Sequence, residues 1–148
     1  MDGRHYHFLT DREFTRRVDA GEFLEHVEYA GNRYGTLRSE LDRILAEGRA
    51  PLLEVELRGA RAVRASIPGA LAVFIAPPSV EELARRLEHR ATDSPTEIAA
   101  RMRTSEIELQ ARNEFDCVIV NDDVDRATAR LAEAVAGACG VRMDEPRG

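Results

Sequence analysis

The rhythm of apolar positions changes at Pro51. Beyond it, Leu52–Leu57 (LLEVEL), Leu71–Ala76 (LAVFIA) and Asp116–Val120 (DCVIV) are short, β-rich apolar runs without clean alternation. Such runs mark parallel strands covered on both faces. Amphipathic stretches lie between and after them and predict helices over about residues 80 to 90, 95 to 112 and 123 to 138. Their start signals are explicit. Ser79 to Glu82 is a capping box behind Pro77-Pro78, and Ser94-Pro95-Thr96-Glu97 sets cap, first-turn proline and third-position glutamate in order.

Before Pro51 the chain is more polar and richer in loops. Thr10-Asp11-Arg12-Glu13 is another capping box. It opens a helix over about residues 11 to 20 that Gly21 can close in the left-handed conformation. A strand, a turn and a second helix of about residues 37 to 47, closed by Gly48, follow. The tail GVRMDEPRG has no period, and the chain has no internal repeat.

One position disturbs this pattern. Strict alternation puts Phe23, Glu25, Val27 and Tyr29 on one strand face, so a carboxylate stands in an apolar row. A loose edge strand or an arginine partner would accommodate it. So would a ligand: the Watson–Crick edge of guanine offers two parallel N–H groups at the spacing of one carboxylate, and adenine offers no such pair. The adjoining turn brackets Asn32-Arg33-Tyr34 between Gly31 and Gly35 and sets the Tyr34 and Thr36 hydroxyls beside the strand end. Tyr6, read singly, is core filler first and a ligand contact second.

Arginines and acids supply the other candidates. Arg85, Arg86 and Arg90 fall on or just after one predicted helix, and Arg101 and Arg103 on the next. They read as solvated helix faces or as a lid whose guanidiniums close over a polyphosphate, hinged at residues 91–94. Glu54 and Glu56 flank Val55 at the end of an apolar run. That is an exposed strand end, or a place where acids orient the water shell of a magnesium ion.

Composition narrows the setting. At 148 residues, 43% hydrophobic and 32% charged, the chain reads as one soluble globular domain. A net charge of −6 gives no general attraction to nucleic acid or anionic lipid. Cys117 and Cys139 lack metal-ligand spacing and read as reduced structural thiols. With no signal or transit pattern at MDGRHYHFLT and no apolar run of membrane-spanning length, a cytoplasmic location is expected.

The stretches DGRHYHFLTDREF, GEFLEHVEYAGNRYGT, LLEVELRGAR, VFIAPPSVEELARRLEHRATDS, IAARM and DCVIVNDD together resemble the guanylate kinase family, in family order and spacing. The resemblance implies phosphorylation of GMP by ATP with magnesium. It implies that Glu25 and Thr36 read the guanine edge, that Tyr6 and Tyr34 hold the GMP phosphate, and that Arg86, Arg90 and Arg101 serve phosphoryl transfer. It puts Asn121 beside adenine and Glu54 and Glu56 near the magnesium ion, with no direct metal ligand. The implied fold is α/β: a P-loop nucleoside-monophosphate-kinase-like parallel sheet with flanking helices. Within one domain, an antiparallel GMP-binding subdomain would span about residues 1 to 47, and a core about 48 to 139 with a helical lid at about 80 to 112, before a tail at 140–148.

Departures from the family pattern fall mainly on the ATP side. No Gly-x-x-x-x-Gly-Lys-Ser/Thr occurs in the 148 residues, nor do two arginines that grip GMP in the family. Glu56 stands for aspartate, Arg58 for glutamine and Ala91 for glycine. The expectations are weak or absent ATP binding and no turnover by this chain alone; the alternative is a non-catalytic guanylate-kinase-like binding module. With the loop-bearing strand missing, the LLEVEL and LAVFIA edges are expected to pair with each other or to be covered in a homodimer.

Overall fold

The structure, a computed structural model, describes residues 7–29, 31–89 and 95–140. By compactness the chain divides into two units, residues 1–70 and 71–148.

In the first unit, helix α1 (Asp11–Asp19) starts where the capping box predicts, with Thr10 Oγ1 accepting from the Glu13 amide at 3.3 Å. It ends at Gly21, whose φ of +65° suits glycine; the Gly21 and Glu22 amides return to the carbonyls of Val18 and Arg17. Strands β1 (Phe23–Tyr29) and β2 (Asn32–Leu37) form an antiparallel hairpin. Helix α2 (Arg38–Ala46) follows directly and closes at Gly48 in the same way as α1. Phe14 of α1 stacks on Phe23 of β1 at 4.5 Å, and with Leu37 they form the buried cluster that Leu9 and Val18 flank. Each such side chain contributes roughly 1.5 to 3 kcal/mol when fully buried. Arg33 lies over the Phe14 ring at 4.5 Å and donates to the Asp11 carbonyl and to Thr15 Oγ1. It thereby ties the hairpin to α1.

Two expectations for this unit are corrected. Glycines 31 and 35 do not bracket a turn: Asn32–Leu37 is strand, and the connection from Tyr29 is confined to residues 30–31. The LLEVEL strand does not form either. Residues 51–56 carry no strand, and Leu57–Ser66 is a helix, α3, that the apolar pattern did not predict. The period-2 burial survives, with Leu53 and Val55 half-buried and Leu52, Glu54 and Glu56 exposed. The segment thus has the alternation of a strand without a ladder, since the strands among the described residues pair only as β1–β2 and β3–β4. Of the two outcomes expected for these edges, direct pairing with LAVFIA has no LLEVEL strand to make it among the described residues.

In the second unit, β3 (Val73–Ala76) and β4 (Cys117–Val120) pair in parallel, in register from Val73–Cys117 to Ala76–Val120. Asp116 fixes the start of the pair: its carboxylate accepts from the Ala72 amide at 2.7 Å while its own amide donates back to the Ala72 carbonyl at 2.9 Å. Helices α4 (Val80–Glu88), α5 (Pro95–Gln110) and α6 (Val124–Cys139) agree with prediction; a short 3-10 turn at Ala111–Glu114 follows α5. Ser79 caps α4 through the Glu82 amide, and Asp123 caps α6 through the Arg126 amide. Ile119 and Ala76 are buried, but Ile75 and Val118 remain 47% and 44% exposed. Full coverage of both sheet faces, expected from the apolar runs, is therefore not reached: one apolar residue on each face of this two-stranded pair is open.

Candidate functional site

The hairpin resolves the anomaly at Glu25 by a bulge. Phe23 pairs with Leu37 and Glu25 with Thr36, so the single residue between, Leu24, is extra on β1. Neighbouring residues of β2 point to opposite faces, so Phe23 and Glu25 do too. The expected row of Phe23, Glu25 and Val27 is thus corrected: Phe23 turns to the Phe14 cluster, and Glu25 turns to the other face. There the register sets Thr36 opposite Glu25 and Tyr34 opposite Val27. Three of the candidate residues share one hairpin face.

Glu25 is the only charged or polar residue among the buried described ones, with 8% exposure. Thr36 Oγ1 donates to its Oε1 at 2.7 Å. No cation pairs with it among the described residues. A carboxylate has about four acceptor sites, and one hydroxyl satisfies one. Gly35 makes the close hairpin possible, because an added Cβ would lie 2.7 Å from the Glu25 carbonyl oxygen and 2.8 Å from Phe23 Cδ1. Helix α3 packs on β1 from the carboxylate's side: a Cβ at Gly59 would lie 3.4 Å from Glu25 Oε2. The sequence gives Gly59 no role, because neither α3 nor the contacts that a side chain there would make can be read from it. Tyr34 is 44% exposed and open to a ligand.

Glu54 and Glu56 project to the same exposed side of the extended segment, and Glu56 occupies the N-cap position of α3 without a side-chain cap bond. Among the described residues no three His, Cys, Asp or Glu side chains gather as cation ligands. Magnesium at nucleotide sites takes one or two carboxylates beside phosphate oxygens and water, a donor set that the exposed Glu54 and Glu56 can complete.

In the second unit, Arg86 and Asn121 come together. The Arg86 guanidinium donates to Glu82 Oε1 at 2.7 Å and to the Asn121 carbonyl at 3.1 Å, while the Asn121 amide donates to the Ala76 carbonyl at 2.8 Å. The end of the β3–β4 pair thus holds Asn121 and anchors Arg86. Arg85 also donates twice to Glu82, and together Arg85 and Arg86 lower the Glu82 carboxyl to about 2. Arg101 lies on α5, which packs against α4. Tyr6 and Arg90, the hinge at 91–94, the Ser94 cap and residues 141–148 lie outside the described residues.

These features describe a mixed α/β chain with a hairpin that buries an acid under a helix start and with arginines carried on helices beside a parallel strand pair. The guanylate kinase family model matches residues 1–138. The chain is 54% identical over 136 residues to the guanylate kinase of Frankia casuarinae, covering 92% of this chain and 74% of that protein. It is 50% identical over 135 residues to the guanylate kinase of Thermobifida fusca, covering 91% and 69%. A crystal structure of guanylate kinase from Anaplasma phagocytophilum superposes with a TM-score of 0.73 at 30% identity, over 93% of this chain; the chain spans 66% of that one, a little under two thirds. The chain belongs to the guanylate kinase family. Among the described residues no helix is long and apolar enough to cross a membrane.

Proposed function

We infer that this chain carries the GMP-binding and lid side of a cytoplasmic guanylate kinase, which transfers a phosphoryl group from ATP to GMP. The observation that carries the reading is Glu25: a carboxylate with 8% exposure, one hydroxyl donor and acceptor capacity to spare. A buried acid without its donors costs several kcal/mol, and guanine N1–H and N2–H would supply a matching pair. Thr36 orients the carboxylate through its hydroxyl, and Tyr34, on the same face, donates to the GMP phosphate; Tyr6 joins it there. Arg86, Arg90 and Arg101 neutralise charge on the transferring phosphoryl group, and Asn121 borders adenine. For Arg86 this requires exchanging the Asn121 carbonyl for a phosphate oxygen. Glu54 and Glu56 would orient the water shell of the magnesium that accompanies ATP.

The 148 residues contain no Gly-x-x-x-x-Gly-Lys-Ser/Thr. Turnover therefore needs an ATP phosphate cradle from residues outside these, and the 148 residues alone bind GMP, hold ATP weakly or not at all, and transfer nothing. The same observation favours the second reading, a guanylate-kinase-like module that binds without catalysis. GMP-dependent ADP formation separates the two: a chain joining a phosphate loop to these residues is active under the first and silent under the second. Self-association accompanies the proposal, since β3 and β4 leave Ile75 and Val118 about half exposed beside strand edges that no other described strand pairs with. A sedimentation coefficient that stays monomeric at all concentrations would remove it.

A further inference from the structure

We propose that Gly59 is a positioning residue for base recognition: by putting no side chain between the first turn of α3 and β1, it lets that turn close directly on the Glu25 carboxylate and fixes where the carboxylate meets a guanine-type edge. The role rests on the reading of Glu25 given above. Gly59 is buried and is the third residue of α3. Glycine is the poorest helix former after proline, so its presence there calls for a packing cause, and its neighbours supply one. A Cβ at this position would lie 3.0 Å from Val55 Cβ and 3.4 Å from Glu25 Oε2. The first contact is tighter than most Cβ contacts, so Val55 or the start of α3 would have to give by a few tenths of an ångström; the second is ordinary van der Waals contact that would set a methyl group against the carboxylate oxygen that Thr36 does not engage, so a small shift of the turn moves it off that oxygen. The shift also matters electrostatically. A helix start carries partial positive charge, and the N-cap residue of α3, Glu56, makes no side-chain cap bond, so Glu25 is the acid with 8% exposure that the turn approaches.

The test is calorimetric titration of the 148-residue chain with GMP and with AMP, in the parent, Gly59→Ala, Glu25→Gln and the double variant. Gly59→Ala is expected to reduce the preference for GMP about tenfold, the scale of a helix-terminus interaction in a partly buried setting, with cooperative unfolding retained. Added to Glu25→Gln, it is expected to change the preference no further, because the group it positions has lost its role; such non-additivity is not what general loosening of the fold produces. If Gly59→Ala does not unfold cooperatively, Val55→Gly/Gly59→Ala removes the tighter contact, keeps the approach to Oε2 and carries the same titration. An undiminished preference in the folded variant overturns the role of Gly59 and leaves the reading of Glu25 standing. An equal further loss in the Glu25→Gln background also overturns it. A parent chain that binds GMP and AMP alike sinks the base reading itself, and the role of Gly59 with it.

Discussion

Two glutamates in this chain meet opposite circumstances. Glu82, on α4, stands among solvent-facing residues and accepts from both Arg85 and Arg86, which lower its carboxyl to about 2. Glu25, on β1, is buried to 8% exposure and takes a single hydroxyl donor, with no cation among the described residues. An acid whose acceptors the chain itself fills is explained by the chain. An acid shielded from water with acceptors left over points outward, to a partner that brings donors. The arginines repeat the lesson. Arg33 is tied to Asp11, Thr15 and Phe14 and serves the fold, whereas Arg86 is held by Glu82 and one main-chain carbonyl, a contact a phosphate oxygen can replace.

The comparison can be broken most severely on the arginine side. In a chain that includes the phosphate loop, Arg86→Ala is expected to lower kcat by about a thousandfold, the scale of an arginine on a transferring phosphoryl group, while GMP affinity stays unchanged. Steady-state kinetics beside GMP titration checks it; a loss in GMP affinity with kcat preserved would assign Arg86 to substrate binding.

Glu25→Gln comes next. An amide offers one acceptor and one donor to two donors, so the preference for GMP over AMP should fall by on the order of 2 kcal/mol, about thirtyfold. Thr36→Val keeps the shape and removes the hydroxyl that orients Glu25; a loss of about fivefold in GMP affinity is expected, measured in the same titration. The smallest effect sharpens the contrast from the side of Glu82 and of Glu13, which Arg16 and Arg17 also lower to about 2. Folded carboxyls below their ordinary value of 4.5 stabilise fully above that pH, and the contribution is lost as pH falls toward 2. Thermal unfolding from pH 5 down to pH 2 should therefore show a Tm that falls less steeply in Glu82→Gln than in the parent, by a margin of about a degree or two, since exposed ion pairs contribute little.

Local chemistry made most helices legible in the sequence. Thr10, Ser79 and Asp123 cap where a short polar oxygen precedes a periodic run, and Gly21 and Gly48 end helices where positive φ is needed. The parallel relation of LAVFIA and DCVIV was equally legible from their unbroken apolar character. What stayed hidden depends on pairing. Alternation cannot foresee the extra Leu24, which turns Glu25 away from Phe23, because a bulge is decided by the partner strand. LLEVEL has the composition of a strand, yet a strand exists only through its ladder, and none is available to residues 51–56 among the described elements. The proposed site was visible at Glu25, Tyr34 and Thr36 as residue types; that they share one face came from the register. Gly59 was invisible because its contribution is an absent side chain, read only from what stands 3.0 and 3.4 Å away.

The central claim is that Glu25 is reserved for the donor pair of guanine. Titrating the 148-residue chain with GMP and with AMP under identical buffer tests it most directly, because the two nucleotides share ribose and phosphate and differ at the base edge. GMP is expected to bind at least about tenfold more tightly, from two hydrogen bonds to a charged acceptor. Equal affinities would contradict it, and Glu25 would then be a buried acid with no assigned partner.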